Sequence, residues 1–161
     1  MARPPRRRHT ARTVERHGRG PRGPVLPPDV PGRRSRAERF DLAVLDAFGP
    51  IDDRWGGRLR GLDIAVDDVP KIRAIDPDSV EWPDDVVADG PVPLSRLVPA
   101  GIDRRGDATR ARIVVFRRPV EHRADDPEDL TDLLHEILVQ QVATYLGLDP
   151  DVVDPDGAPE D

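Results

Sequence analysis

A histidine and a glutamate stand side by side at His135-Glu136. They open a spacing in which two imidazoles one helical turn apart hold a cation while the carboxylate activates water. The second imidazole belongs four residues after the first, and that position is Val139. Of the other histidines, His9 and His17 fall in an arginine-rich leading stretch, which leaves His122 just after a β-branched run. The chain has no cysteine, so zinc has only imidazoles and carboxylates to draw on. An atypical site would be assembled from His135, His122, Asp149 and Asp151, with Glu136 as base. The aspartates at 149, 151, 154 and 156 lack the spacing of a calcium loop. Gly56-Gly57-Arg58-Leu59-Arg60-Gly61 lacks the Gly-Lys-Ser/Thr ending of a phosphate loop and reads as a turn. Ser35, Ser79 and Ser95 stand in no nucleophile motif.

The element that must position His135 is the clearest in the chain. Asp126 supplies an N-cap, Pro127 a first helical residue, and Glu128 and Asp129 first-turn acids. Gly147 supplies a stop with Pro150 beyond it, so the pattern predicts a helix of about twenty residues. On a wheel at about 100° per residue, Leu130, Leu133, Leu134, Ile137, Leu138 and Tyr145 share one arc, with Val142 at its edge. His135 lies at the margin of that arc and Glu136 nearly opposite its centre, which reads as a solvated face. Inside the arc fall Gln141 and Thr144, with Gln140 on its border. A buried amide without a partner costs about 1–3 kcal/mol, so these three either satisfy one another locally or line a cavity.

Earlier in the chain, Ser35 and Glu38 form a capping box ahead of Phe40, Val44, Ala47 and Phe48, predicting a helix that Gly49-Pro50 ends. Leu62, Ile64 and Val66 alternate with Asp63, Ala65 and Asp67 as a half-buried strand closed by Pro70. Residues 71–111 are broken by five prolines and read as a long irregular connection with room for one short strand, anchored by Trp82, Val86-Val87 and Leu97-Val98. Ile113-Val114-Val115-Phe116 suits an inner strand, ended by Pro119. The class is α+β.

Charge divides the chain. Residues 1–40 hold twelve arginines against Glu15, Asp29 and Glu38, so a total of −6 leaves the rest strongly acidic. The folded part therefore repels nucleic acid and anionic lipid, while the leading segment could attach to phosphates without reading bases, having no aromatic ring to stack. With seven prolines and four glycines, residues 1–34 are expected to be a disordered tail. The expected domain covers 35–150, and the acidic residues 151–161 are expected to fray. No run of about 18 apolar residues crosses a bilayer and no secretory segment is visible, which predicts a cytoplasmic protein without membrane contact.

One order of pieces carries a resemblance. An opening helix is followed by Leu62-Asp63-Ile64-Ala65-Val66-Asp67-Asp68-Val69-Pro70, then by Pro93-Leu94-Ser95-Arg96-Leu97-Val98-Pro99-Ala100-Gly101. Ile113 to Pro119 comes next, and a last helix ends in Leu146-Gly147-Leu148-Asp149. From about Phe40 to Asp151 the chain resembles the small bacterial metallopeptidase family with a minimal zincin-like fold. That resemblance implies a small mixed sheet packed against an N-terminal and a long C-terminal helix, the latter bearing H-E-x-x-H-x-x-G. Anchored on Gly147, the first histidine falls on Gln140, the glutamate on Gln141 and the second histidine on Thr144. The third ligand falls on Pro150, between Asp149 and Asp151. An amide oxygen and a hydroxyl are feeble zinc donors, and an amide accepts no proton from water. The resemblance thus implies a zinc-free, inactive domain retained to bind a protein or an extended peptide.

Overall fold

In the computed structural model, residues 34–71 and 81–157 are described. Their elements lie in the unit Arg36–Asp161. The expected disordered tail over residues 1–34 falls, apart from Arg34, outside the described residues.

The first helix, α1, spans Arg36–Trp55, and Phe40, Val44, Ala47 and Ile51 are its buried positions. The expected stop at Gly49-Pro50 is wrong. Pro50 has no N–H to offer the carbonyl one turn back, a loss of about 3 kcal/mol in a free helix. Tertiary burial overrides it here, because continuing the helix seats Ile51 in the core and lets the Trp55 indole N–H donate to the Val153 carbonyl at 2.9 Å.

A four-stranded mixed sheet follows, made of β1 (Leu62–Asp67), β2 (Val86–Asp89), β3 (Val92–Val98) and β6 (Ala111–Phe116) in the order β1-β6-β3-β2. β6 runs parallel to β1, from Leu62 opposite Ala111 to Asp67 opposite Phe116. It runs antiparallel to β3, from Ser95 opposite Val115 to Val98 opposite Arg112. The Ile113–Phe116 run is therefore the inner strand it was expected to be, with Ile113 and Val115 fully buried. The reading of 71–111 as irregular needs correction: besides β2 and β3 it holds a separate two-stranded ribbon, β4 (Gly101–Ile102) with β5 (Ala108–Thr109). Pro91 and Pro93 sit where strands tolerate them. Pro91 follows Gly90, whose φ of 56° turns the β2–β3 hairpin. Pro93 lies opposite Ala88, where the register shifts, and outside the stretch of β3 that pairs with β6. Trp82 secures the same turn by donating to the Gly90 carbonyl at 2.9 Å.

Directly after β6 comes an unexpected short helix, α2 (Arg117–Arg123), with Pro119 in its first turn, where a missing N–H is harmless. Arg117, only 5% exposed, explains the abrupt change of direction. Its guanidinium holds Asp68 at 2.7 Å and Glu121 at 3.7 Å, tying the end of β1 to α2.

The last long helix, α3, spans Pro127–Leu146 as its caps predicted. It packs against α1 on one side and against β2, β3 and α2 on others. Leu134, Ile137, Leu138 and Val142 from α3 meet Phe40, Val44, Ile113 and Val115 in one core. Residues expected to fray after Pro150 instead form α4 (Pro150–Val153) and a 3-10 turn at Pro155–Gly157. Val153 is the reason, being 2% exposed. Among the described residues no helix is long and apolar enough to cross a membrane. The architecture is α+β, a small mixed sheet against an N-terminal and a C-terminal helix.

Candidate functional site

Both ends of α3 are fixed, and that fixes which way its polar residues face. At the start, the Asp126 carboxylate accepts from the backbone N–H of Glu128 at 2.9 Å and Asp129 at 2.8 Å. At the end, Gly147 takes a left-handed φ of 67°, and the N–H of Leu148 reaches the Ala143 carbonyl at 2.9 Å.

Gln141 is the buried polar centre of this helix, at 0% exposure. Its Nε2 donates to Ser95 Oγ at 2.7 Å and to the Asp85 carbonyl at 3.2 Å, bridging α3 to β3 and to the turn before β2. Its Oε1 is buried and has no hydrogen-bond partner. Reversing the amide would set its oxygen against the Asp85 carbonyl, two acceptors face to face, so the observed orientation is the favourable one. Asp85 is in turn braced by Arg96, whose Nε lies 3.2 Å from its carboxylate.

The wheel also placed Thr144 inside the apolar arc and Gln140 on its border. Both are exposed, and Thr144 Oγ1 donates to the Gln140 carbonyl at 3.0 Å. The error has a physical source. The wheel was centred on leucines, but α3 has neighbours on more than one side and buries Val139 and Ala143 as well, which shifts the buried arc away from Gln140 and Thr144.

His135 also departs from expectation. Rather than a solvated face it occupies a seam, with its side chain 26% exposed. Nδ1 lies 2.9 Å from the Ala47 carbonyl and Nε2 lies 2.7 Å from Asp154 Oδ2. Carbonyl and carboxylate oxygens only accept, so both contacts are hydrogen bonds when both ring nitrogens carry hydrogen, in the imidazolium form. Burial pulls its pKa down, but the Ala47 carbonyl, the Asp154 carboxylate and the charge of Asp132 outweigh burial and hold it above the usual histidine value. A ring engaged at both nitrogens has no lone pair for a metal. Glu136 is exposed, as expected, and His122 is exposed on α2. Asp149 caps α4 by accepting from the Asp151 N–H at 3.2 Å, and Asp151 is exposed. The candidate ligands His135, His122, Asp149 and Asp151 are therefore not brought together. Among the described residues no three His, Asp or Glu side chains converge on a point that could hold a metal ion.

Sequence reasoning missed the partners rather than the residues. Ser95 stands with Arg96 among Leu94, Leu97 and Val98, a faint signal of a buried hydroxyl. Nothing local marks Asp85 or Asp154.

With the helix, the sheet order and this polar bridge described, comparison with known families is decisive. Residues 59–158, more than half of the chain, match the family described as zincin-like metallopeptidase. The chain belongs to the zincin-like metallopeptidase family. No curated protein matches it. The match spans β1 to the 3-10 turn after α4, so the elements that the resemblance tied to zinc chemistry all lie within the zincin-like region. Among the described residues the donor set does not fit that metal. Zinc takes three protein ligands in a catalytic site, and the described residues offer no such trio.

Proposed function

We propose that this zincin-like domain works without zinc and without hydrolysing peptides, as a binding module for an extended peptide or protein segment. The observation that carries the proposal is the seat of Gln141. On the resemblance it stands where the family's glutamate activates water, yet its amide is sealed from solvent and spent on Ser95 and Asp85. A neutral group in a closed seat neither accepts a proton from water nor reaches a substrate. Gln140 and Thr144, the positions matched to the two histidines, present an amide and a hydroxyl to solvent. β2 ends the sheet and has no strand partner on its outer side among the described residues, an arrangement that supports strand addition by an extended chain.

Metal analysis and peptide hydrolysis on the purified full-length chain test this reading together. The expected result is zinc far below one ion per chain after dialysis, and no cleavage of a broad peptide library with zinc added. Stoichiometric, chelator-removable zinc that disappears in His135→Ala would instead establish an atypical metallopeptidase built on His135, Glu136 and His122. A separate role, nucleic-acid association, rests on the charge of residues 1–40 alone. Deleting residues 1–34 and finding RNA and DNA affinity unchanged at low salt would remove it.

A further inference from the structure

We propose that the segment Asp149–Gly157 is a clasp, docked on α1 and α3 while His135 is cationic and released when His135 loses its proton. This inference does not depend on peptide binding, and it excludes His135 as a zinc ligand.

Three attachments hold the segment to the rest of the domain, and they differ in kind. Val153 is buried, and its carbonyl accepts from the Trp55 indole at the end of α1. Arg54 faces Asp156 at 3.8 Å, but this pair is largely exposed and contributes little in water. The third attachment is the 2.7 Å contact between His135 Nε2 and Asp154, with both side chains largely withdrawn from solvent. The imidazolium is shared by three pieces of chain: it sits on α3, donates to α1 at the Ala47 carbonyl, and donates to the segment at Asp154. Removing its one proton therefore strips a hydrogen bond from one neighbour or the other, because a neutral ring has one N–H for two acceptors.

The groups facing this ring act in one direction. α1 presents the Ala47 carbonyl, the segment presents the Asp154 carboxylate, and α3 itself adds Asp132. Arg54, the cation on α1 near the segment, is engaged with Asp156. A neutral ring leaves the Asp154 carboxylate half-buried without a counter-charge.

The sign of the dependence follows. A histidine whose folded pKa is raised above its ordinary value lends stability that is fully present below the ordinary value. That stability is lost as pH rises through the raised one. The clasp is closed below the ordinary histidine value and loosens as pH rises through the raised one. One proton limits the change to about tenfold in the docking equilibrium per pH unit. Opening uncovers the seat of Val153 and the indole of Trp55.

Hydrogen exchange on the full chain, corrected for the intrinsic pH dependence of exchange, tests the clasp. Between about pH 6 and about pH 9, peptides covering 148–157 are expected to lose protection while those from the middle of α3 keep it. His135→Gln, neutral at every pH, is expected to show the open level at the lower pH and no pH dependence. Protection that stays flat across this range in the unaltered chain, or a His135→Gln protein that keeps the original profile, overturns the proposal. Should His135→Gln not fold, Asp154→Asn gives the answer by NMR of the His135 ring proton. Its midpoint is expected to fall toward the ordinary histidine value, and an unmoved midpoint refutes the clasp.

Discussion

Gln141 and His135 stand on one helix less than two turns apart, and α3 treats them in opposite ways. Gln141 is neutral and closed off, with one oxygen left without a partner. His135 is titratable and only partly covered, with both nitrogens engaged. The contrast shows that the chemically conspicuous residue need not be the one set deepest between helix and sheet. The His-Glu pair that invites a catalytic reading is a joint between segments. The plainer glutamine is the group inserted between helix and sheet. Position in the fold, more than intrinsic reactivity, separates them.

The sharpest way to break this contrast is Gln141→Glu. A carboxylate in a fully buried seat is expected to have its pKa raised by burial, and stability at neutral pH is expected to fall by about 4 kcal/mol. The loss should shrink as pH is lowered toward the ordinary glutamate value, because an acid raised on folding is penalised only where the unfolded chain is ionised. Urea unfolding at two pH values measures both effects; a loss under about 1 kcal/mol would mean that the seat admits water. A smaller effect is expected from His135→Ala, about 1–3 kcal/mol near pH 6, since the Ala47 carbonyl and Asp154 lose their donors. That deficit should narrow as pH rises and the unaltered histidine deprotonates. The smallest effect sharpens the comparison from the exposed side. Gln140→Ala and Thr144→Ala together are expected to stay within about 0.5 kcal/mol of the parent, and a larger loss would place them in contacts the fold does not display.

Much of the scaffold was legible because its signals are local. The caps of α3 at Asp126 and Gly147, the alternation of β1 and the β-branched run of β6 each depend on neighbours in sequence. Other features were decided at a distance. Pro50 is tolerated in α1 because Ile51 and Trp55 have partners elsewhere, and the prolines of 91 and 93 conceal a hairpin because turns and bulges accept them. The start of α2 answers to Arg117 and its partner Asp68 just past the end of β1. In the site, the burial of Gln141 followed from periodicity, whereas Gln140 and Thr144 were misplaced because the wheel held no knowledge of α1. His135 was misread for the same reason, its partners lying 88 and 19 residues away in sequence.

The central place of β6 bears on how the chain acquires its shape. Its neighbours β1 and β3 are made earlier during synthesis, and neither pairs directly with the other. A chain elongated only as far as Val98 can form the β2–β3 hairpin, but β1 has no strand to join until Phe116 has emerged. The sheet then closes across a long span of sequence, the kind of contact that slows folding. Until that strand arrives, β1 and the hairpin present open edges, the state most exposed to wrong pairing with other chains.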